Sequence, residues 1–259
     1  MVFSYLAIMN RKVLYIDAGN TRLKAAEYVN GRWKFLSAPD YADSDFEEEL
    51  YALCKDFDWL LVTSVKKRVR EESLRGLFTD HKGPKIHYLK TSSFPSASIR
   101  YRTPDTLGVD RYLACLGAWS QHQHEPVPVI VTDAGTACTI DIMDERGVFL
   151  GGVIMPGLHL LIDCLARKAD GLFDIEPEVP DPWPPDSTTA ALQAGTAGTF
   201  LAAWEAHVQQ SLLRFPEASL WLTGGDAAFL ASRTSRNVQK DPHLVLTGMR
   251  EFWKKQLDE

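Results

Sequence analysis

The stretch VLYIDAGNTRLKAAEYVNGRW, Val13 to Trp33, decides how the chain is read, because it recurs as VIVTDAGTACTIDIMDERGVF, Val129 to Phe149. Each copy is an apolar strand, then Asp-Ala-Gly, then a small hydroxyl or amide residue. An alternating segment, a glycine turn (Gly31, Gly147) and a third apolar segment follow. The residues VLYI and VIVT are apolar and β-branched enough for the middle of a sheet. Asp17 and Asp133 lie too far apart for a solenoid period. The spacing suits two halves of one duplicated fold.

Asp-Ala-Gly after a strand forces a tight turn, since glycine admits backbone angles that other residues avoid. Consecutive N–H groups in such a turn can converge into an anion-binding concavity. An aspartate at the strand end is well placed to hold a hydrated metal ion against the same phosphate. An ordinary hairpin also favours Asp, Gly and Asn. For one copy the hairpin is the better reading; the repetition argues against it.

The 259 residues suffice for one large domain or two ordinary ones. A composition of 45% hydrophobic and 24% charged residues is that of a soluble globular chain. The net charge of −6 argues against general nucleic-acid binding, which uses a basic surface. The basic run Lys66 to Arg70 reads as a solvated helix face. No stretch approaches a membrane span, and MVFSYLAIMN reads as an extension before the first strand, not as a signal peptide. The four cysteines, Cys54, Cys115, Cys138 and Cys164, form no C-x-x-C pair. Cys115 and Cys138 lie in apolar patterns and read as buried, and the usage fits a reducing compartment, the cytoplasm. His122-Gln123-His124 is the only histidine cluster, in a polar connection that argues little for a metal.

Between the two copies the pattern alternates helix and strand. SDFEEELYALCKDFDW, Ser44 to Trp59, predicts a helix capped by Ser44 or Asp45, with Phe46, Leu50, Leu53 and Phe57 as its apolar stripe. LLVTSV (Leu60 to Val65) predicts a buried strand, Val69 to Phe78 a helix, and KIHYLK (Lys85 to Lys90) a strand. This is an α/β layer fold. Pro104 and Gly108 mark a loop, and Val109 to Trp119 predicts a helix packing through Leu113, Leu116 and Ala118. Asp110 then sits in the first turn, where the helix dipole favours its ionised form. It could accept a proton from a substrate hydroxyl or merely stabilise its helix, and this segment alone favours the latter.

After Glu125 the second copy runs into FLGGVIMPG, whose glycines suggest closely packed backbone, and then into a helix from about Leu158. Glu176 to Ser187, with five prolines, reads as a semi-rigid loop or flap. Ser187 to Thr189 caps a small-residue helix, and SLWLTGGDAAFL (Ser219 to Leu230) reads as strand, Gly-Gly-Asp turn and helix. The chain closes on HLVLTGMREFWKKQL, His243 to Leu257, which reads as a short strand and a terminal helix.

In this order the segments resemble the type III pantothenate kinases, also called Bvg accessory factor-like proteins. The resemblance rests on DAGNTRLK (17 to 24), P-x-x-x-G-V-D-R (104 to 111), DAGTACTID (133 to 141), GGVIMPG (151 to 157), Thr188 with Gly195, and LTGGD (222 to 226). It covers Val13 to about Asp226. It implies an α/β fold of two ribonuclease H-like domains, as in acetate and sugar kinases, Hsc70 and actin, with the active site in the cleft between them. The domains would run 1–122 and 123–259, the last helix packing back on the first.

The resemblance also implies the activity: transfer of the ATP γ-phosphate to the 4′-hydroxyl of pantothenate, the first step of coenzyme A biosynthesis. A homodimer, Mg²⁺ and a monovalent cation (K⁺ or NH₄⁺) would accompany it. Asp17, Ala18, Gly19, Asn20, Thr21, Arg22, Leu23 and Lys24 would form the first phosphate loop, with Asp17 orienting Mg²⁺ through water. Thr136 would contact ATP and Asp133 would ligate the monovalent cation. Asp110 would be the general base, with Tyr101, Gly108, Val109, Asp110, Arg111 and Thr188 at pantothenate. The Gly-Gly-Asp turn would lie by the nucleotide. The alternatives are a sugar or small-acid kinase of the same superfamily and a regulatory nucleotide-binding accessory protein.

Overall fold

The computed structural model describes residues 11–78, 83–122, 124–181 and 183–258. The extension expected at 1–10 lies outside them, as does Gln123 of the histidine cluster. The chain divides into two compact units, one of Met1–Ser120 with Leu244–Glu259 and one of Gln121–His243. Among the described residues no helix is long and apolar enough to cross a membrane.

The first unit is built on β1 (Val13–Ala18), β2 (Leu23–Val29), β3 (Arg32–Leu36), β4 (Trp59–Ser64) and β5 (Lys85–Tyr88), in the order β3-β2-β1-β4-β5. β1, β2 and β3 form an antiparallel meander, while β4 pairs parallel to β1 and β5 parallel to β4. Asn30 and Gly31, with φ of 50° and 80°, close the β2–β3 hairpin. Asn-Gly is the pair that a two-residue turn with both residues left-handed demands.

Side chains alternate across β1. Leu14, Ile16 and Ala18 enter a core with Phe46, Leu50 and Cys54 of helix α1 (Phe46–Cys54) and Leu74 of helix α2 (Glu71–Gly76). Tyr15 and Asp17 issue on the opposite face. There lie helix α3 (Val109–Trp119) and the chain-terminal helix, Leu244–Asp258, whose Arg250 and Glu251 act electrostatically on Tyr15. These two helices meet with almost no side chain between them. A Cβ on Gly117 would strike the Leu244 carbonyl, and one on Gly248 the Leu113 carbonyl.

The second unit repeats the scheme with β6 (Val129–Ala134), β7 (Ala137–Met143), β8 (Phe149–Pro156), β9 (Ser219–Thr223) and β10 (Val238–Lys240), in the order β10-β9-β6-β7-β8. Again the first three strands are antiparallel, β9 runs parallel to β6, and β10 parallel to β9. This is the same connectivity met twice, as the duplication implied, and it is the ribonuclease H-like arrangement that the family resemblance implied. The core side of β6 carries Ile130 and Ala134 against helix α4 (Leu158–Lys168) and a long helical run. That run is α5 (Thr188–Gln193), a π-turn (Ala194–Gly198) and α6 (Thr199–Arg214). Trp204 of α6 is buried and donates Nε1–H to Thr132 Oγ1 of β6 at 2.9 Å. Helix α7 (Ala227–Arg233) follows the Gly-Gly-Asp turn, and the terminal helix is α8.

Several elements differ from expectation. The stretch from Leu244, expected to open as a short strand, is helical from its start, and the strand of this region lies earlier, at Val238–Lys240. α1 ends at Cys54 instead of reaching Trp59, although Leu53 and Phe57 still pack on the core. The basic run is not a helix face. Lys67–Val69 is a 3₁₀ turn with Val69 wholly buried, and the Arg68 guanidinium lies 4.7 Å from the centre of the Phe46 ring. Cys115 and Cys138 are buried as expected.

Candidate active site

In the first unit, Asp17 is buried at the end of β1, opposite Lys24 of β2 and Thr63 of β4. Ala18 is wholly buried and Leu23 nearly so, whereas Asn20, Thr21 and Arg22 are exposed, with Lys24 half-buried. The loop thus offers an exposed turn beside a buried carboxylate. Gly19 is held from outside the loop: the Tyr41 hydroxyl donates to its carbonyl at 2.9 Å.

Asp110 lies in the first turn of α3, as its position predicts. Its Oδ1 accepts the Arg111 N–H at 2.9 Å and folds back over Gly108, where a Cβ would come within 2.5 Å of it. Gly108 is the N-cap of α3, and its bare backbone leaves room for that carboxylate in this position. Burial raises the Asp110 pKa above the ordinary carboxylate value, and the Arg111 N–H and guanidinium oppose the rise. Arg111 is itself buried, and Val109 is half-buried. The preceding loop is braced by Thr106 Oγ1 on the Thr103 carbonyl at 2.8 Å, and Tyr112 Oη lies 3.1 Å from Ser98 Oγ. Tyr101 sits half-buried in this loop. Asp17 and Asp110 therefore share a face of one sheet: Asp17 issues from β1 on the side where α3 packs.

In the second unit, three segments converge on the Asp133 turn. Gly135 donates to the Ala137 carbonyl at 3.2 Å, closing the turn at the mouth of β6 and β7. Gly157 donates to the Thr136 carbonyl at 3.1 Å, and a Cβ there would strike the carbonyls of Gly135 and Thr136. The Gly-Gly-Asp turn closes the other side. Asp226 donates its backbone N–H to the Ala134 carbonyl at 2.9 Å. Gly224 has φ +91°, and a Cβ on it would reach within 2.5 Å of Asp133 Oδ1. Thr136 is exposed at the turn's tip and Asp133 half-buried at its base. Thr188 is exposed at the first position of α5, whose N-cap Ser187 accepts the Ala190 N–H at 3.2 Å.

Among the described residues no three His, Cys, Asp or Glu side chains converge as a metal cage. Single carboxylates beside exposed turns fit a cation that completes its shell with water and phosphate oxygens, the usual mode for Mg²⁺. They do not fit an all-protein site.

Sequence reasoning missed Tyr41 and His159. His159, in the first turn of α4, places Nε2 at 3.3 Å from Asp226 Oδ1. It follows the Gly157 motif by two residues, so proximity to that motif was its one signal. Tyr41 carries none, because its contact with Gly19 depends on the fold.

The sequence matches the family model described as type III pantothenate kinase over residues 13–210. A type III pantothenate kinase from Laribacter hongkongensis is 33% identical over 244 residues, covering 92% of this chain and 96% of the relative. One from Thiobacillus denitrificans is 31% identical over 240 residues, covering 91% and 94%. Among solved structures, a Campylobacter jejuni protein described as of the Baf family of transcriptional activators superposes with a TM-score of 0.62 at 21% identity. The match covers 95% of this chain and all of that one. An Alp12 filament subunit gives 0.51 at 11% identity, covering 96% and 99%. At such identities the likeness is one of fold alone.

Proposed function

The chain belongs to the type III pantothenate kinase family, and from that membership we propose that it transfers the ATP γ-phosphoryl group to the 4′-hydroxyl of pantothenate. This is the first step of coenzyme A biosynthesis. The observation that carries the reading is the Asp110 carboxylate, folded over Gly108 with its pKa raised by burial. A base works best when its pKa lies near the working pH, and burial moves Asp110 in that direction.

Asp110 accepts the 4′-hydroxyl proton as that oxygen bonds to the γ-phosphorus and the bond to the departing ADP oxygen breaks. Gly108, Val109, Arg111, Tyr101 and Thr188 hold pantothenate. Residues 17 to 24 carry the phosphates: Asn20 and Thr21 are exposed at the turn, and Lys24 brings charge beside them. Thr136 contacts ATP. Asp17 would hold Mg²⁺ through water and Asp133 the monovalent cation, K⁺ or NH₄⁺. Bound, the two cations supply neutralisation of charge on the transferring oxygens, the main demand of phosphoryl transfer. The working form is a homodimer in the cytoplasm, a compartment that suits four free thiols.

The test is a panel of acceptors with γ-labelled ATP: pantothenate, a hexose and acetate. Label on pantothenate alone supports the reading. Label on the hexose or acetate alone sinks it, and no transfer to any acceptor favours an accessory role.

A further inference from the structure

We infer that Tyr41 is a positioning residue for the first phosphate loop, setting the Gly19–Asn20 peptide so that the Asn20 N–H faces the nucleotide phosphates. The inference rests on the ATP-binding role proposed for residues 17 to 24.

The peptide unit is planar. In a trans peptide the carbonyl of one residue and the N–H of the next point in opposite directions. The Tyr41 hydroxyl donates to the Gly19 carbonyl at 2.9 Å, so it fixes where that carbonyl points. The Asn20 N–H is thereby fixed on the far side from Tyr41. Glycine is the residue at which such a peptide turns over most easily. The hydrogen bond therefore falls on the most flexible unit of the loop.

Tyr41 is in turn held from three sides. The Arg68 guanidinium donates Nη1–H to the Tyr41 carbonyl at 2.6 Å, and Lys66 Nζ lies 4.9 Å from the centre of its ring. The ring also packs against Phe46, with centres 5.7 Å apart. Lys66 is set by its own turn, where its N–H donates to Ser64 Oγ at 2.9 Å. Ser64 ends β4 directly beside Ala18 of β1. The basic run thus packs its cations around the tyrosine that grips the loop. Burial, and after it the charge of Asp17, raise the phenol's pKa, so the hydroxyl stays a donor throughout the physiological range.

Tyr41→Phe removes the donor and keeps the ring. The predicted result is a KM for ATP raised roughly tenfold, the usual size of one lost hydrogen bond to a poised group, with the KM for pantothenate unchanged. Tyr51→Phe, on the exposed face of α1, is the control and should alter neither constant. A wild-type KM for ATP in Tyr41→Phe overturns the inference. So does an equal rise in both KM values, which marks a merely structural role. Asp17→Asn, measured alongside, separates the two levels. If it weakens ATP while Tyr41→Phe does not, only the role of Tyr41 falls. If Asp17→Asn leaves the KM for ATP untouched, the loop assignment falls and this inference with it.

Discussion

His159 Nε2 stands 3.3 Å from Asp226 Oδ1, joining the first turn of α4 to the Gly-Gly-Asp turn beside Asp133. Burial raises the pKa of Asp226, and His159 acts against that rise both by charge and by its hydrogen bond. Removing the imidazole should therefore let the Asp226 carboxyl titrate at still higher pH. Carbon-detected NMR titration of that carboxyl in wild type and His159→Ala checks this. An unchanged midpoint would mean that the two groups do not interact in solution.

Asp110 should be a cost to folding at neutral pH. Its pKa in the folded protein is raised above the ordinary 3.8, so the native state binds the proton more readily than the unfolded chain. The stability belonging to the protonated form is complete below about pH 3.8 and is lost as pH rises through the folded value. Asn cannot ionise. Asp110→Asn should melt at or above the wild-type temperature at pH 7, and the advantage should shrink toward pH 4. Melting curves at the two pH values decide it; a clear loss at pH 7 would mean that the carboxylate is net stabilising. The acid limb of the wild-type kcat profile should correspondingly lie above pH 3.8.

Gly224→Ala tests the close approach in the second unit. Its φ of +91° strains any side chain, and the added Cβ would collide with the Ala134 carbonyl and Asp133 Oδ1. A cost of about 1–3 kcal/mol is expected from the backbone alone, with a raised KM for ATP as the Asp133 turn is displaced. Denaturant titration and initial-rate kinetics read the two effects. A variant as stable as wild type would show that this turn relaxes freely.

The duplicated stretch made the architecture legible because β-branched runs and glycine turns act locally. Val13–Ala18 and Val129–Ala134 carry their strand signal within six residues each. The α3 bounds were equally plain, since Gly108 and the apolar spacing of Leu113 and Leu116 mark them in the chain. What local pattern could not give was anything decided by distant contact. Lys66 to Arg70 reads as a charged surface until Tyr41 and Phe46 are found beneath it. The terminal helix follows the second unit in sequence, yet Gly117 and Gly248 bind it to α3 of the first. At the site, motif residues such as Asp17 and Asp110 could be named in advance. Tyr41 and His159 could not, because their partners lie 22 residues away in one case and on a separate turn in the other.

The most direct test is the rate of 4′-phosphopantothenate formation from ATP and pantothenate by wild type and by Asp110→Asn, with ATP binding measured on both. The account predicts an active wild type and a variant that binds ATP normally but turns over on the order of 10²- to 10⁴-fold more slowly, the usual contribution of a general base. A folded variant with wild-type turnover would contradict it.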